Sequence, residues 1–149
     1  MKYWLFFLLF NSKIYAQTQT ASAAYFKHID SLISVSANWP LFEIKVIPND
    51  TSRLVLDNFK QGIALFNAYV NFVKYSYDPN GINPKKGTNN ETLDSIQIAK
   101  LKKSKIFLLE AYNYNRKEKM ITLALAEVGC ALKDFYCFKR YKSIYQTTK

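Results

Sequence analysis

Residues 51–77 read TSRLVLDNFKQGIALFNAYVNFVKYSY, and this stretch decides the fold class. Leu56, Phe59, Ile63, Phe66, Val70, Val73 and Tyr77 recur at alternating spacings of three and four, which lines them along one side of an α-helix. Asp57, Lys60, Asn67, Asn71, Lys74 and Asp78 fall on another face, and Asn49, Asp50, Thr51 and Ser52 offer N-caps. Leu65, Tyr69 and Phe72 widen the apolar stripe, so this helix is expected to touch more than one neighbour. Aromatic side chains at helical spacing read as core rather than as a ligand box.

Toward the N-terminus, Pro40 and Pro48 bracket Leu41 to Ile47, where Phe42, Ile44 and Val46 alternate with Glu43 and Lys45 at the period of a strand. No second run of that kind exists, so the segment reads as an extended connector laid across helices, with an edge that pairs with another chain as the alternative. Residues 21–36 set Tyr25, Phe26, Ile29, Leu32 and Ile33 on one helical face, opposite Lys27, Ser31 and Ser34. Residues 1–16 read as a secretory leader. Lys2 supplies positive charge, Tyr3 to Phe10 is apolar, and Ala16 is the small residue before the expected cut. Eight apolar residues rise only about 12 Å as a helix, short of the roughly 30 Å hydrocarbon core, so no membrane span is expected in the mature chain.

Toward the C-terminus, Asp78-Pro79-Asn80-Gly81 suits a type I turn, and a long loop over residues 78–90 ends at the capping box of Thr88 and Glu91. Helices are then expected over 91–113 and 117–143. A single bent helix is the alternative, because Phe107, Tyr114, Ile121, Val128 and Phe135 keep a seven-residue phase. The main stripe of the last helix is Ile121, Ala124, Leu125, Val128, Ala131, Leu132 and Phe135. A second series, Leu123, Cys130, Cys137 and Ile144, lies half a turn away, so two faces are buried or one is lent to a partner. The fold expected is all-α: a bundle of three to four helices forming a single domain over 17–149, with the extended connector at 41–47 and the loop at 78–90.

Two cysteines in an exported chain raise the question of a disulfide. Seven residues along a continuous helix separate Cα atoms by about 10 Å, beyond the roughly 7 Å a bridge tolerates. Three states of Cys130 and Cys137 stay open: unbridged thiols on the second stripe, an intramolecular bridge across a break at Gly129, or bonding between chains. Neither has His or Cys companions at ligand spacing, so no metal site or cofactor is expected.

The one histidine, His28, excludes His-rich zinc sites, and the chain lacks a Gly-x-Ser-x-Gly elbow, a phosphate-binding glycine loop and a Cys-x-x-Cys pair. No catalytic residue is assigned. Paired acid and base chemistry stays formally open, since Glu110, Glu118, Glu127 and Asp134 are near one another in sequence, but no spacing singles out an acid and a base.

Charge is the stronger lead. The formal net charge is +10. Residues 17–78 carry five basic and five acidic groups, whereas 79–149 carry fourteen and six. Lys100, Lys102, Lys103 and Lys105 crowd the third helix, Arg116 and Lys117 follow with Lys119 at the junction, and Lys139, Arg140 and Lys142 close the fourth. Tyr112, Tyr114, Phe138, Tyr141 and Tyr145 are interleaved. Basic groups with stacking rings suit a polyanion surface, although lysines at 100–105 spread around a helix at 100° per residue. The expectation is an exported, periplasmic or extracellular, non-enzymatic binding module whose basic C-terminal half contacts an anionic envelope or membrane surface, a polysaccharide or an acidic protein. Nucleic acid is a less natural target outside the cell. The alternatives are an envelope-directed hydrolase or its accessory using His28 or the carboxylates, and a structural subunit that self-assembles through the fourth helix.

Overall fold

Four amphipathic or wholly apolar segments and one extended strap have to bury their apolar surface together, and the computed structural model shows how residues 41–149 do so. It describes residues 23–50, 52–76 and 90–148; the expected leader at 1–16 and residues 78–89 of the expected loop, with its Thr88 cap, lie outside these. The backbone divides into two compact units, Met1–Pro40 and Leu41–Lys149. Five helices are described, not three to four, and no strand occurs among the described residues.

In the first unit, α1 spans residues 23–35. Ile29 is buried, Tyr25, Phe26, Leu32 and Ile33 are half-buried, and Lys27, His28 and Ser31 are exposed, as its spacing predicts. Tyr25 and Phe26 meet edge to face at 5.8 Å between ring centroids.

In the second unit, α2 spans Arg53–Ser76 and α3 Asn90–Tyr114. They pack along their lengths, with Phe59, Phe66, Val70, Leu101 and Leu108 all buried. Their crossing is close because Gly62 has no side chain: a Cβ there would lie 2.7 Å from Leu108 Cγ. Ser104 fills the remaining space and donates its hydroxyl to the Gly62 carbonyl at 2.7 Å, satisfying a buried polar group.

A turn at residues 115–118 separates α3 from α4, Lys119–Ala131, so the single bent helix does not form. Glu118 caps α4 by accepting from the Met120 N–H at 3.2 Å. Every residue from Met120 to Gly129 is buried. A helix buried all round is a core helix, here with Thr122 and Glu127 among its buried residues, and both predicted stripes are covered between Met120 and Gly129. α3 lies on one side of α4 and α5 on another, with a slight contact from α2. The strap at 41–50 runs antiparallel to α4, Phe42 reaching Glu127 and Asp50 reaching Glu118.

The expected helix over 117–143 is broken. α4 ends at Ala131 and α5 spans Phe135–Thr147. The break is a Schellman turn: Asp134 N–H donates to Gly129 O at 2.9 Å and Lys133 N–H to Cys130 O at 3.0 Å, with Lys133 in the left-handed region at φ 56°. Asp134 then caps α5 by accepting from Cys137 N–H at 3.0 Å. Gly129 is not where the chain stops being helical. It is where the hairpin closes, since a Cβ there would meet Phe138 N at 2.7 Å. An L side chain at φ 56° costs roughly 1–2 kcal/mol, a cost glycine avoids. Lys133→Gly, at an exposed position, is therefore expected to stabilise the protein by about 0.5–1 kcal/mol in urea unfolding after the glycine's larger entropy loss.

Candidate functional site

The restart of helical phase at Phe135 decides which side of α5 faces water. Cys137, Tyr141 and Tyr145 follow at intervals of four and are buried, while Phe135 and Tyr136 are 76% and 78% exposed. Phe135 thus leaves the stripe assigned to it on a continuous helix, and Tyr141 and Tyr145 become core instead of stacking rings. Tyr112 is core as well, meeting Tyr141 edge to face at 5.2 Å. Of the interleaved aromatics, Tyr114 is exposed and Phe138 half-buried. The exposed pair Phe135–Tyr136 was the part missed, and its one local signal is Asp134, a preferred N-cap residue ahead of an aromatic run.

The basic residues divide into three groups. On α3, Lys102 and Lys103 are exposed and Lys100 is half-buried. At 100° per residue Lys100 and Lys102 point to nearly opposite sides, so these lysines form no single face. Lys105 is already engaged, its ammonium 2.6 Å from Asp134 Oδ2. That ion pair and the Tyr112–Tyr141 contact share an offset of 29 residues, which sets α3 and α5 parallel. Arg116 and Lys117 are exposed in the turn before α4, and Lys119 Nζ sits 5.1 Å from the Tyr145 ring, placing this turn beside the C-terminal end of α5. On α5 itself Lys139 and Arg140 are exposed and Lys142 lies half-buried, 5.4 Å from the Phe138 ring. From Phe135 to the C-terminus there is no acidic residue.

The Lys105–Asp134 pair fastens the start of α5 to α3. Lys105's hydrogen bond, then the Cys137 N–H, hold the Asp134 carboxyl below its ordinary value of 3.8. The bond to Asp134 raises Lys105 above its ordinary 10.5. Asp134's share of stability is present above 3.8 and is lost as pH falls through its depressed folded value. Lys105's share is present below 10.5 and is lost as pH rises through its elevated folded value. Both side chains keep about a third of their exposure, so the pair is worth about 0.5–1 kcal/mol. Asp134→Ala, which also loses the cap, is expected to cost about 1.5–2.5 kcal/mol against at most about 1 for Lys105→Ala. The stability gap between wild type and Lys105→Ala should stay flat near neutral pH and close in strong acid, as urea titrations would read directly.

Both cysteines are free thiols, Cys137 buried and Cys130 half-buried. They face different surroundings. Burial raises the Cys130 thiol, with Glu127 adding to the rise and Lys142 opposing it. Burial also raises Cys137, whose charged neighbours are Lys105, Asp134 and Arg140. Each candidate carboxylate has a place of its own. Glu110 is exposed, Glu118 caps α4 and accepts from Asp50 N–H, Glu127 is wholly buried and faces Phe42 N–H, and Asp134 holds Lys105. Among the described residues no three His, Cys, Asp or Glu side chains gather as a metal site would require. No described helix is long and apolar enough to cross a membrane. No family model, curated protein or solved structure matches this chain.

Proposed function

We propose that this chain is an exported, non-enzymatic binding module whose C-terminal half contacts an anionic partner: an envelope surface, a polysaccharide or an acidic protein. The observation that carries this reading is the outer side of α5, where Lys139 and Arg140 are exposed, Lys142 lies half-buried at its edge, and no acidic residue occurs from Phe135 onward. Solvated helix faces of ordinary domains mix both signs, whereas a one-sign face steers and holds a partner of opposite charge. Arg116 and Lys117 are exposed in the turn that the Lys119 contact with Tyr145 places beside the C-terminal end of α5. Lys105 contributes no net charge, being neutralised by Asp134.

Heparin is a suitable probe. Affinity should fall steeply as salt rises, and Lys139→Glu/Arg140→Glu should weaken it by more than tenfold while leaving unfolding stability nearly unchanged, both sites being exposed. Retention that ignores salt, or a double reversal without effect, would contradict the reading. Export has its own check: protein recovered from outside the cytoplasm should begin at Gln17.

A further inference from the structure

We infer that the anionic partner is a lipid bilayer surface, and that Phe135 and Tyr136 are the side chains that enter it. This rests on the binding reading above and specifies its partner. Phe135, Tyr136, Lys139, Arg140 and Lys142 share an arc of about 160° on α5 at 100° per residue, opposite the buried Cys137, Tyr141 and Tyr145. Two adjacent aromatic side chains, each more than three-quarters exposed, protrude at the start of this arc, and cationic groups follow within one turn. Rings seated at headgroup depth beside ammonium and guanidinium groups on phosphate are the arrangement that anionic membrane interfaces favour. The charge of the helix itself is complementary to such a surface, because no residue from Phe135 onward is acidic and Asp134, which caps α5, is engaged by Lys105. The arc offers cationic donors and no carboxylate acceptor, so its chemistry reads negative charge rather than the hydroxyl pattern of a sugar.

The test is sedimentation of the processed chain, beginning at Gln17, with phosphatidylcholine vesicles, with and without phosphatidylglycerol, alongside heparin and polyglutamate as soluble polyanions. The wild type should bind the phosphatidylglycerol vesicles and ignore pure phosphatidylcholine. Phe135→Ser/Tyr136→Ser should bind those vesicles roughly tenfold more weakly or worse, having lost the apolar transfer, and should keep its heparin affinity. Equal vesicle binding by wild type and double variant would overturn the inference. So would wild-type binding to heparin or polyglutamate without binding to either vesicle, an outcome that leaves the broader binding reading standing. Failure to bind any of the probes would overturn both.

Discussion

Gly129→Ala is expected to destabilise the protein by about 2–3 kcal/mol, measured by urea unfolding, and to lower its thermal midpoint on the order of 10 °C. Helix propensity argues the other way, since alanine is about 1 kcal/mol better than glycine inside a helix. Sterics overrule it. The new methyl would stand 2.7 Å from Phe138 N and 3.0 Å from Phe138 Cα. These are backbone atoms of the neighbouring helix, so no rotamer change relieves the contact and the α4–α5 hairpin has to open. Gly62→Ala is the internal comparison. Its nearest obstacle is the Leu108 side chain, which can shift, so the cost should be smaller. A Gly129→Ala protein as stable as the wild type would mean that α4 and α5 do not approach so closely.

Asn67→Ala is expected to cost about 2–4 kcal/mol. The strap at 41–50 has no β partner, yet Ile44 is 2% exposed and its backbone groups need partners. Asn67 on α2 supplies both: Ile44 N–H donates to Asn67 Oδ1 at 3.0 Å, and Asn67 Nδ2 donates to Ile44 O at 2.8 Å. One side-chain amide thus does the work of a neighbouring strand. Alanine would leave a buried donor and a buried acceptor unsatisfied, at about 1–3 kcal/mol each before relaxation. Asn67→Asp should not rescue, because it keeps the acceptor and turns a second oxygen toward the Ile44 carbonyl. Against a typical total of about 5–15 kcal/mol, either loss is a large fraction of stability. Near-normal stability of Asn67→Ala would show that the strap draws its hold from elsewhere, such as Asp50. That carboxyl accepts from Ser52 N–H and Asn115 Nδ2, and these two bonds lower its pKa.

Periodicity made α1 and α2 legible, since Phe59, Ile63, Phe66 and Val70 keep a local rhythm that needs no knowledge of the partner helix. The double stripe of α4 left two readings, two buried faces or one lent to a partner, and the burial of every residue from Met120 to Gly129 fits the first. The break at 132–134 was hidden for a physical reason. A left-handed residue usually advertises itself as glycine or asparagine, and here it is Lys133. The seven-residue series from Ile121 through Val128 to Phe135 then runs across the turn by coincidence. Asn67 read only as one of the polar residues on another face of α2, because its partner lies 23 residues earlier in the strap. The basic C-terminal half was legible as composition, and its residues on α5 do share one side. Lys105 was not separable from them, because the aspartate that engages it lies 29 residues away.

Everything proposed for the C-terminal surface depends on the helical phase restarting at Phe135. Hydroxyl-radical footprinting of the native chain, read residue by residue after digestion, tests this directly. Phe135 and Tyr136 should be oxidised rapidly, near the rate of the unfolded chain, while Tyr141 and Tyr145, at 5% and 1% exposure, are strongly protected. Protection of Phe135 equal to that of Tyr141 would mean that the helix runs unbroken through residues 132–134, and would contradict the account.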